Sequence, residues 1–183
     1  PKAVYRLTYA LFCSWRLLFR SPRTKGLGSA GRRSEAQQLE AQAYGQKLLA
    51  AVPPSSLIAF TDGSASPNPG PCGGGAFLSD TSKEWCDEAV AALGQGTNNI
   101  GELWAIGMAL ELAEERLNRF SYTYLYIFTD SQYSIGVLTL GWKVKGDDRL
   151  VKAIKSKIDS LATRIVIIID WIPAHVGIAD NEH

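Results

Sequence analysis

The chain has 183 residues, of which 46% are hydrophobic and 20% are charged, with 19 Lys or Arg against 18 Asp or Glu. This composition excludes a wholly disordered chain, and three cysteines in a chain of this length argue against a disulfide scaffold. No run of 18 apolar residues is present, so the sequence predicts no membrane-spanning segment. The length suits one domain of about 130 to 150 residues with an appendage.

Charge is distributed unevenly along the chain. Residues 1–34 carry eight Lys or Arg and no acid, so the remainder holds 11 basic and 18 acidic residues, a net charge of −7. If the remainder binds nucleic acid, positive charge is not the main cause, and a divalent cation is the best candidate to join its acids to phosphate.

Two regions are predicted. Residues 1–53 form a basic, partly disordered leader with a helix over residues 34–51, for which Ser34 is a suitable N-cap and which Pro53 ends. The leader is either an organelle transit peptide or a linker of no fixed structure. Residues 54–183 form the folded domain. Because the chain lacks an initial Met and stops without a closing element, we expect it to be part of a longer product.

The folded domain is predicted to alternate between strands and helices. Residues 57–61, 73–78 and 85–93 have the pattern of three strands in an antiparallel meander, with a turn at residues 67–70. The remaining elements follow in the order helix, strand, helix, helix, strand, at residues 103–117, 122–128, 131–140, 147–161 and 165–169. This order predicts an α/β fold with helices packed on one mixed sheet.

Three acids lie at the edges of apolar elements. Asp62 and Asp130 each follow an apolar strand, and Glu102 lies in the first turn of a helix whose apolar stripe begins at Leu103. If the two strands are neighbours and the helix crosses them, the three carboxylates converge and repel one another unless cations neutralise them. Oxygen ligands without His or Cys suit Mg²⁺ or Mn²⁺. The alternative is that Asp62 and Asp130 only cap turns.

Four motifs occur in order around these acids. They are Thr61-Asp62-Gly63-Ser64 with Asn68-Pro69-Gly70, Thr97-Asn98-Asn99-Ile100-Gly101-Glu102-Leu103, Thr129-Asp130-Ser131-Gln132-Tyr133, and Trp171-Ile172-Pro173-Ala174-His175-Val176-Gly177-Ile178 with Asn181-Glu182. Together they resemble ribonuclease H of type 1 over residues 57–183. The resemblance implies a ribonuclease H-like fold, with a five-stranded mixed sheet of three antiparallel strands followed by parallel strands, flanked by helices, and with the final helix missing.

The resemblance also assigns roles to single residues. It implies that Asp62, Glu102 and Asp130 hold two Mg²⁺ ions, with Mn²⁺ as a substitute, and that His175 assists proton transfer near them. The contacts to substrate that it implies are Gly63, Ser64, Asn68, Thr97, Asn98, Asn99 and Gln132. Amide side chains suit a shallow RNA minor groove, because they donate to and accept from 2′-hydroxyls. Helix capping is an alternative for Asn98 and Asn99.

Two departures of this sequence from the family's full pattern affect the predicted site. The family's fourth carboxylate would fall two residues past His183, outside this sequence. Some family members carry an additional basic helix and loop that bind the RNA–DNA hybrid substrate, and between Asp130 and His175 this chain is too short to hold them. Trp142, Lys143 and Lys145 are either a reduced version of that region or an ordinary packed Trp with solvated lysines.

The resemblance implies an endonuclease that cuts the RNA strand of RNA–DNA hybrids and leaves 5′-phosphate and 3′-hydroxyl ends. The alternatives are the nuclease domain of a retroelement reverse-transcriptase polyprotein and a non-catalytic hybrid-binding module. An RNA–DNA hybrid is the expected partner of a monomeric, intracellular protein. Whether it acts in the nucleus and cytoplasm or in the mitochondrion depends on the role of the leader.

Overall fold

The structure is a computed structural model that describes the backbone of residues 17–20 and all atoms of residues 27, 31–144 and 148–174. Within these residues, six strands form one sheet: β1 (Leu17–Arg20), β2 (Ser56–Ala65), β3 (Gly70–Asp80), β4 (Cys86–Gly96), β5 (Tyr124–Thr129) and β6 (Val166–Trp171). The helices of the same residues are α1 (Glu35–Ala50), α2 (Asn98–Leu117), α3 (Gln132–Thr139) and α4 (Arg149–Leu161).

The sheet order is β1-β6-β5-β2-β3-β4. Strands β2 to β6 confirm the five-stranded mixed sheet expected from the sequence. Strands β2, β3 and β4 form the predicted antiparallel meander, and β5 and β6 join it in parallel. The sequence did not predict β1, which pairs in parallel with the outer edge of β6 and is the sixth strand. At four residues it is too short for a recognisable strand period.

The first face of the sheet carries the main core. Every second residue of β2, such as Leu57 and Ala59, faces α2, while α4 and α3 extend this layer. Helix α2 presents an apolar stripe that includes Ile106, Leu110 and Ala113, all fully buried. This cluster fixes α2 across the middle strands, and the first turns of α2 therefore lie against the ends of β2 and β3.

The second face of the sheet is covered from the N-terminal side of the chain. Ile58, Phe60 and Phe128 point to this face and form a second cluster with Ala41 of α1 and with Leu27. Helix α1 begins with a capping box, in which the Ser34 side chain accepts from the Gln37 amide and the Gln37 side chain accepts from the Ser34 amide. Residues before the folded domain therefore complete a helix–sheet–helix sandwich.

Candidate active site

Asp62 and Asp130 are brought together by the pairing of β2 with β5. The two strands run parallel with Thr61 beside Thr129, so the next residue of each chain segment emerges at the same edge of the sheet. Asp62 lies inside β2, which continues to Ala65, and not after the end of the strand as the sequence indicated. Asp130 directly follows β5, as expected.

Glu102 reaches the same edge because α2 approaches the sheet at glycines. A Cβ atom on Gly63 would overlap the backbone of Gly101 and Glu102, and one on Gly74 would lie 2.6 Å from the Gly101 carbonyl oxygen. Side chains at these positions would push the helix away from β2 and β3. The close approach places the Glu102 side chain beside the two aspartates.

The three carboxylates form one compact cluster. One oxygen from each of Asp62, Glu102 and Asp130 lies within 4.8 Å of the other two. Asp62 is exposed and Asp130 is half-buried, whereas Glu102 is only 8% exposed. The cluster is therefore open to solvent on one side and closed by the core on the other, as a substrate-accessible ion site requires.

The electrostatics of the cluster are most evident at Glu102. Burial, followed by repulsion from Asp130 and Asp62, raises the pKa of Glu102 from an ordinary value of 4.5 to about 8. Hydrogen bonds from the Gly63 amide and the Thr129 hydroxyl partly oppose this rise. The Oε2 atom of Glu102 is buried and has no hydrogen-bond partner among the described residues. The arrangement leaves an oxygen and unbalanced negative charge for a cation.

The backbone around Asp130 is held by its neighbours. The Trp171 indole Nε1–H donates to the Asp130 carbonyl oxygen at 3.1 Å, and the Ser131 amide donates to the Thr129 hydroxyl at 3.1 Å. Ser131 also caps α3, because its side chain accepts from the Ser134 amide at 3.2 Å. These bonds fix the direction in which the Asp130 side chain leaves the sheet.

The predicted substrate contacts lie on or next to the elements that carry the three carboxylates. Asn68 and Asn98 join the β2–β3 turn to the start of α2: the Asn98 Oδ1 accepts from the Ala65 amide at 2.6 Å, and the Asn68 Oδ1 accepts from the Asn98 amide at 3.3 Å. Thr97 is the N-cap of α2, accepting from the Ile100 amide at 3.4 Å. The cap is thus Thr97, and neither Asn98 nor Asn99.

Three further predicted contacts are exposed to solvent: Ser64 on β2, Asn99 in the first turn of α2 and Gln132 at the start of α3. An open groove of about 320 Å³ extends from Asp62 and Ser64 over the second face of the meander. Gly73 and Gly75 contribute to its lining, so backbone is accessible beside the carboxylates.

Some predicted residues lie outside the described part of the chain. His175, the motif residues that follow it and Lys145 belong to this group. Trp142 is described: its ring lies over Gly136 of α3, yet it is 50% exposed. Lys143 is exposed beside it. This geometry is compatible with both alternatives raised for the segment.

Comparison with known proteins places this geometry in a family. The family model described as RNase H matches residues 54–183. The chain belongs to the RNase H family. The matched region begins at residue 54, directly after the predicted leader. Helix α1 and strand β1 therefore lie outside the matched region.

Relatives named ribonuclease H match most of their own length. The protein of Aromatoleum aromaticum is 35% identical over 67% of this chain and 81% of its own, and that of Cereibacter sphaeroides is 36% identical over 70% and 89%. LC11-RNase H1, solved in complex with an RNA/DNA hybrid, is 26% identical with a TM-score of 0.56 and covers 68% of this chain and 90% of its own. The N-terminal RNase H domain of a Mycobacterium tuberculosis protein is similar at 26% identity and a TM-score of 0.53, covering 64% and 87%.

Sequence reasoning missed two residues of this RNase H site. Thr129, whose hydroxyl bonds to Glu102, is completely buried, and Trp171 holds Asp130 from the next strand. Both belong to the motifs that carry the resemblance. A polar residue directly before a candidate acid at the end of an apolar strand is the signal that could have found Thr129.

Proposed function

We propose that this RNase H family protein hydrolyses the RNA strand of RNA–DNA hybrids with the help of two divalent cations, Mg²⁺ or, as a substitute, Mn²⁺. The observation that carries the proposal is the convergence of Asp62, Glu102 and Asp130 within 4.8 Å, with the buried Glu102 oxygen lacking a partner. The likeness to a family member solved with an RNA/DNA hybrid supports the choice of substrate.

The side chains present fit such a cation. All three are carboxylates, and hard oxygen ligands without nitrogen or sulfur favour Mg²⁺ and Mn²⁺ over zinc. A cation would also lower the raised pKa of Glu102, since it would offset the repulsion from the two aspartates. Asp62, Glu102 and Asp130 are the residues that would hold it. When bound, the metal supplies activation of water and stabilisation of charge on the leaving oxygen.

The surrounding residues then orient the site. The Gly63 amide and the Thr129 hydroxyl hold one oxygen of Glu102, and the Trp171 indole fixes the backbone at Asp130. Because these bonds exist before substrate binds, little reorganisation is needed when the scissile phosphate arrives.

We assign hybrid recognition to a polar rim beside the cluster, which comprises Asn68, Asn98, Asn99 and Gln132. The oxygens of Asn68 and Asn98 are engaged within the protein, and this leaves their NH₂ groups as donors for a ligand. Together with Asn99 and Gln132 they offer donors for 2′-hydroxyls and base edges in the minor groove. Gly63, Ser64 and Thr97 remain proposed contacts of the same rim. His175 remains a proposed aid to proton transfer and product departure.

A strand-resolved cleavage assay tests the function. An RNA–DNA hybrid labelled differently on each strand is incubated with the full chain and Mg²⁺, beside the same sequence as duplex DNA. We expect cuts in the RNA strand alone, with 5′-phosphate and 3′-hydroxyl ends, and no cuts in EDTA. Hybrid that is bound but left intact at every Mg²⁺ and Mn²⁺ concentration would favour a non-catalytic binding module instead.

A further inference from the structure

The segment that precedes the family match makes two separate contacts with residues at the C-terminal end of β6, beside the strand end from which Asp130 emerges. Helix α1 and Leu27 lie on the second face, where Ala41 is fully buried against the cluster of Phe60 and Phe128. The matched family region begins at residue 54. What this additional layer does for the site can be followed through Arg33 and Tyr44.

Arg33 bridges the leader to the end of β6. Its Nη1 donates to the Ala174 carbonyl oxygen at 2.6 Å, and its Nε donates to the Leu27 carbonyl oxygen at 2.9 Å. A third, longer bond of 3.4 Å joins Nη1 to the Gln38 side chain in α1. Ala174 comes three residues after β6 and is followed in sequence by His175. The guanidinium group therefore anchors the chain three residues after Trp171, on the segment whose indole holds the Asp130 backbone.

Tyr44 reaches the carboxylates through Trp171. The two rings lie with centroids 6.3 Å apart at 41°, and the Trp171 indole donates to the Asp130 carbonyl oxygen at 3.1 Å. Trp171 is thus packed by α1 on one side while it holds the backbone of a carboxylate residue on the other. The Tyr44 hydroxyl oxygen is buried without a hydrogen-bond partner among the described residues, so the contact depends on the ring.

We propose that Arg33 and Tyr44 are positioning residues for the active site, through which the N-terminal layer fixes the Ala174 backbone and the Trp171 indole. The inference rests on the proposed function, because the site that is positioned is the carboxylate cluster to which hybrid cleavage is assigned. Neither residue belongs to the carboxylate cluster or to the predicted substrate contacts. Both act through another residue: Arg33 through Ala174, and Tyr44 through Trp171 on Asp130.

Substitutions at Arg33 have a matched control in the neighbouring arginine. Arg32 is exposed and Arg33 is half-buried, so Arg33→Met and Arg32→Met remove the same charge but only the first removes the bridge. In hybrid cleavage at saturating Mg²⁺ we expect Arg33→Met to lower kcat roughly tenfold with KM within about twofold, since small displacements of a catalytic group are costly. Arg32→Met should leave kcat unchanged. Arg33→Lys, which can restore one bond, should recover part of the loss.

Substitutions at Tyr44 separate the ring from the hydroxyl. Tyr44→Phe keeps the ring on Trp171 and removes an unpaired buried hydroxyl, so kcat should stay within about twofold and stability should not fall. Tyr44→Ala should lower kcat several-fold. It should also increase hydrogen exchange at the Trp171 indole N–H, followed by NMR, because the ring no longer packs against it.

The indole exchange rate and the Mg²⁺-induced rise in melting temperature can be measured whether or not hybrid is cut. Failure of the wild type to cleave would therefore defeat the proposed function and leave this inference to those two readouts. Folded Arg33→Met and Tyr44→Ala proteins with wild-type kcat would overturn the inference. In an inactive wild type, unchanged indole exchange and unchanged Mg²⁺ response in both variants would overturn it equally.

Discussion

Glu102 determines how the site behaves without metal. Its pKa of about 8 means that the folded protein keeps a proton that the unfolded chain, with a pKa near 4.5, has already lost. The folded state binds more protons between these two values, so metal-free stability should fall as pH rises from about 4.5 to 8. The repulsion among the three carboxylates lowers the free energy of unfolding, and it lowers it more as Glu102 ionises with rising pH.

The first prediction concerns Glu102→Gln. Glutamine imitates the protonated acid, so the variant should equal the wild type near pH 5 and exceed its metal-free melting temperature by roughly 5–10 °C near pH 9. Thermal unfolding in EDTA across this pH range measures the difference. Glu111→Gln, on the exposed face of the same helix, is the control and should change stability by less than about 0.5 kcal/mol at either pH.

The same variant tests the response to cations. Millimolar Mg²⁺ should raise the melting temperature of the wild type at pH 8, because binding to the folded state alone stabilises it. In Glu102→Gln this rise should be reduced or absent. Equal Mg²⁺ responses in the two proteins would show that the cluster does not hold the ion.

At the residue scale the sequence predicted the three acids of the carboxylate cluster. Asp62, Glu102 and Asp130 could be found because each stands at the edge of an apolar element and inside a recognisable motif. The roles of Thr129 and Trp171 could not, because they depend on which atom faces which across the sheet. His175 stays a prediction, since it lies outside the described residues.

Among the elements, the crossing of α2 over β2 and β3 decides whether the carboxylates meet. Gly63, Gly74 and Gly101 allow the helix to lie directly on strand backbone. The sequence predicted the helix and the strands from their periodicity. It did not show the crossing distance, because a glycine in a motif is equally compatible with a turn.

The second prediction uses Gly63→Ala. The new Cβ would overlap the α2 backbone at Gly101 and Glu102, so the helix must shift, at a cost of about 1–3 kcal/mol. Hybrid cleavage should fall at least roughly tenfold, because Glu102 moves with the helix. Urea unfolding and cleavage rates measure the two effects.

Gly107→Ala on the same helix provides the control. Its Cβ would meet Ile154 Cγ1 at an ordinary 3.8 Å, so helix propensity should dominate and stability should rise by about 0.5–1 kcal/mol. If Gly63→Ala were as stable and as active as Gly107→Ala, close packing at Gly63 would not position Glu102.

For the whole molecule, the two faces of the sheet have different origins along the chain. The family region supplies five strands of the sheet and the α2–α4 layer, while the residues before it supply α1 and the sixth strand, β1. The sequence predicted a helix from residue 34 but not where it would pack. A helix whose polar and apolar residues show little periodic separation gives no clear sign of its partner face. None of the helices α1 to α4 has both the length and the hydrophobicity of a membrane-spanning segment.

The third prediction concerns how the net charge of the chain affects the salt dependence of hybrid binding. Residues 35–183 have a net charge of −7, so we expect this part of the chain to bind hybrid through a few phosphate contacts and through cations, not through a basic surface. Because few phosphate contacts release few counterions, raising KCl at constant Mg²⁺ should increase KM with a shallow dependence on salt and leave kcat almost unchanged. A steady-state salt series on one hybrid measures both constants. A kcat that falls in step with affinity would contradict the expectation that salt weakens binding and leaves the chemical step unchanged.

If the carboxylate cluster cuts the hybrid, removing the charge of one of its three acids with Asp130→Asn should abolish most of the activity. The single-turnover cleavage rate of a saturating hybrid is compared for wild type, Asp130→Asn and Asp159→Asn, an exposed aspartate on α4, with circular dichroism to confirm that all three fold. Loss of a metal ligand in the reacting site should lower the rate by roughly 100-fold or more, while Asp159→Asn stays within about twofold of wild type. A folded Asp130→Asn protein that cleaves at the wild-type rate would show that the carboxylate cluster is not the catalytic site.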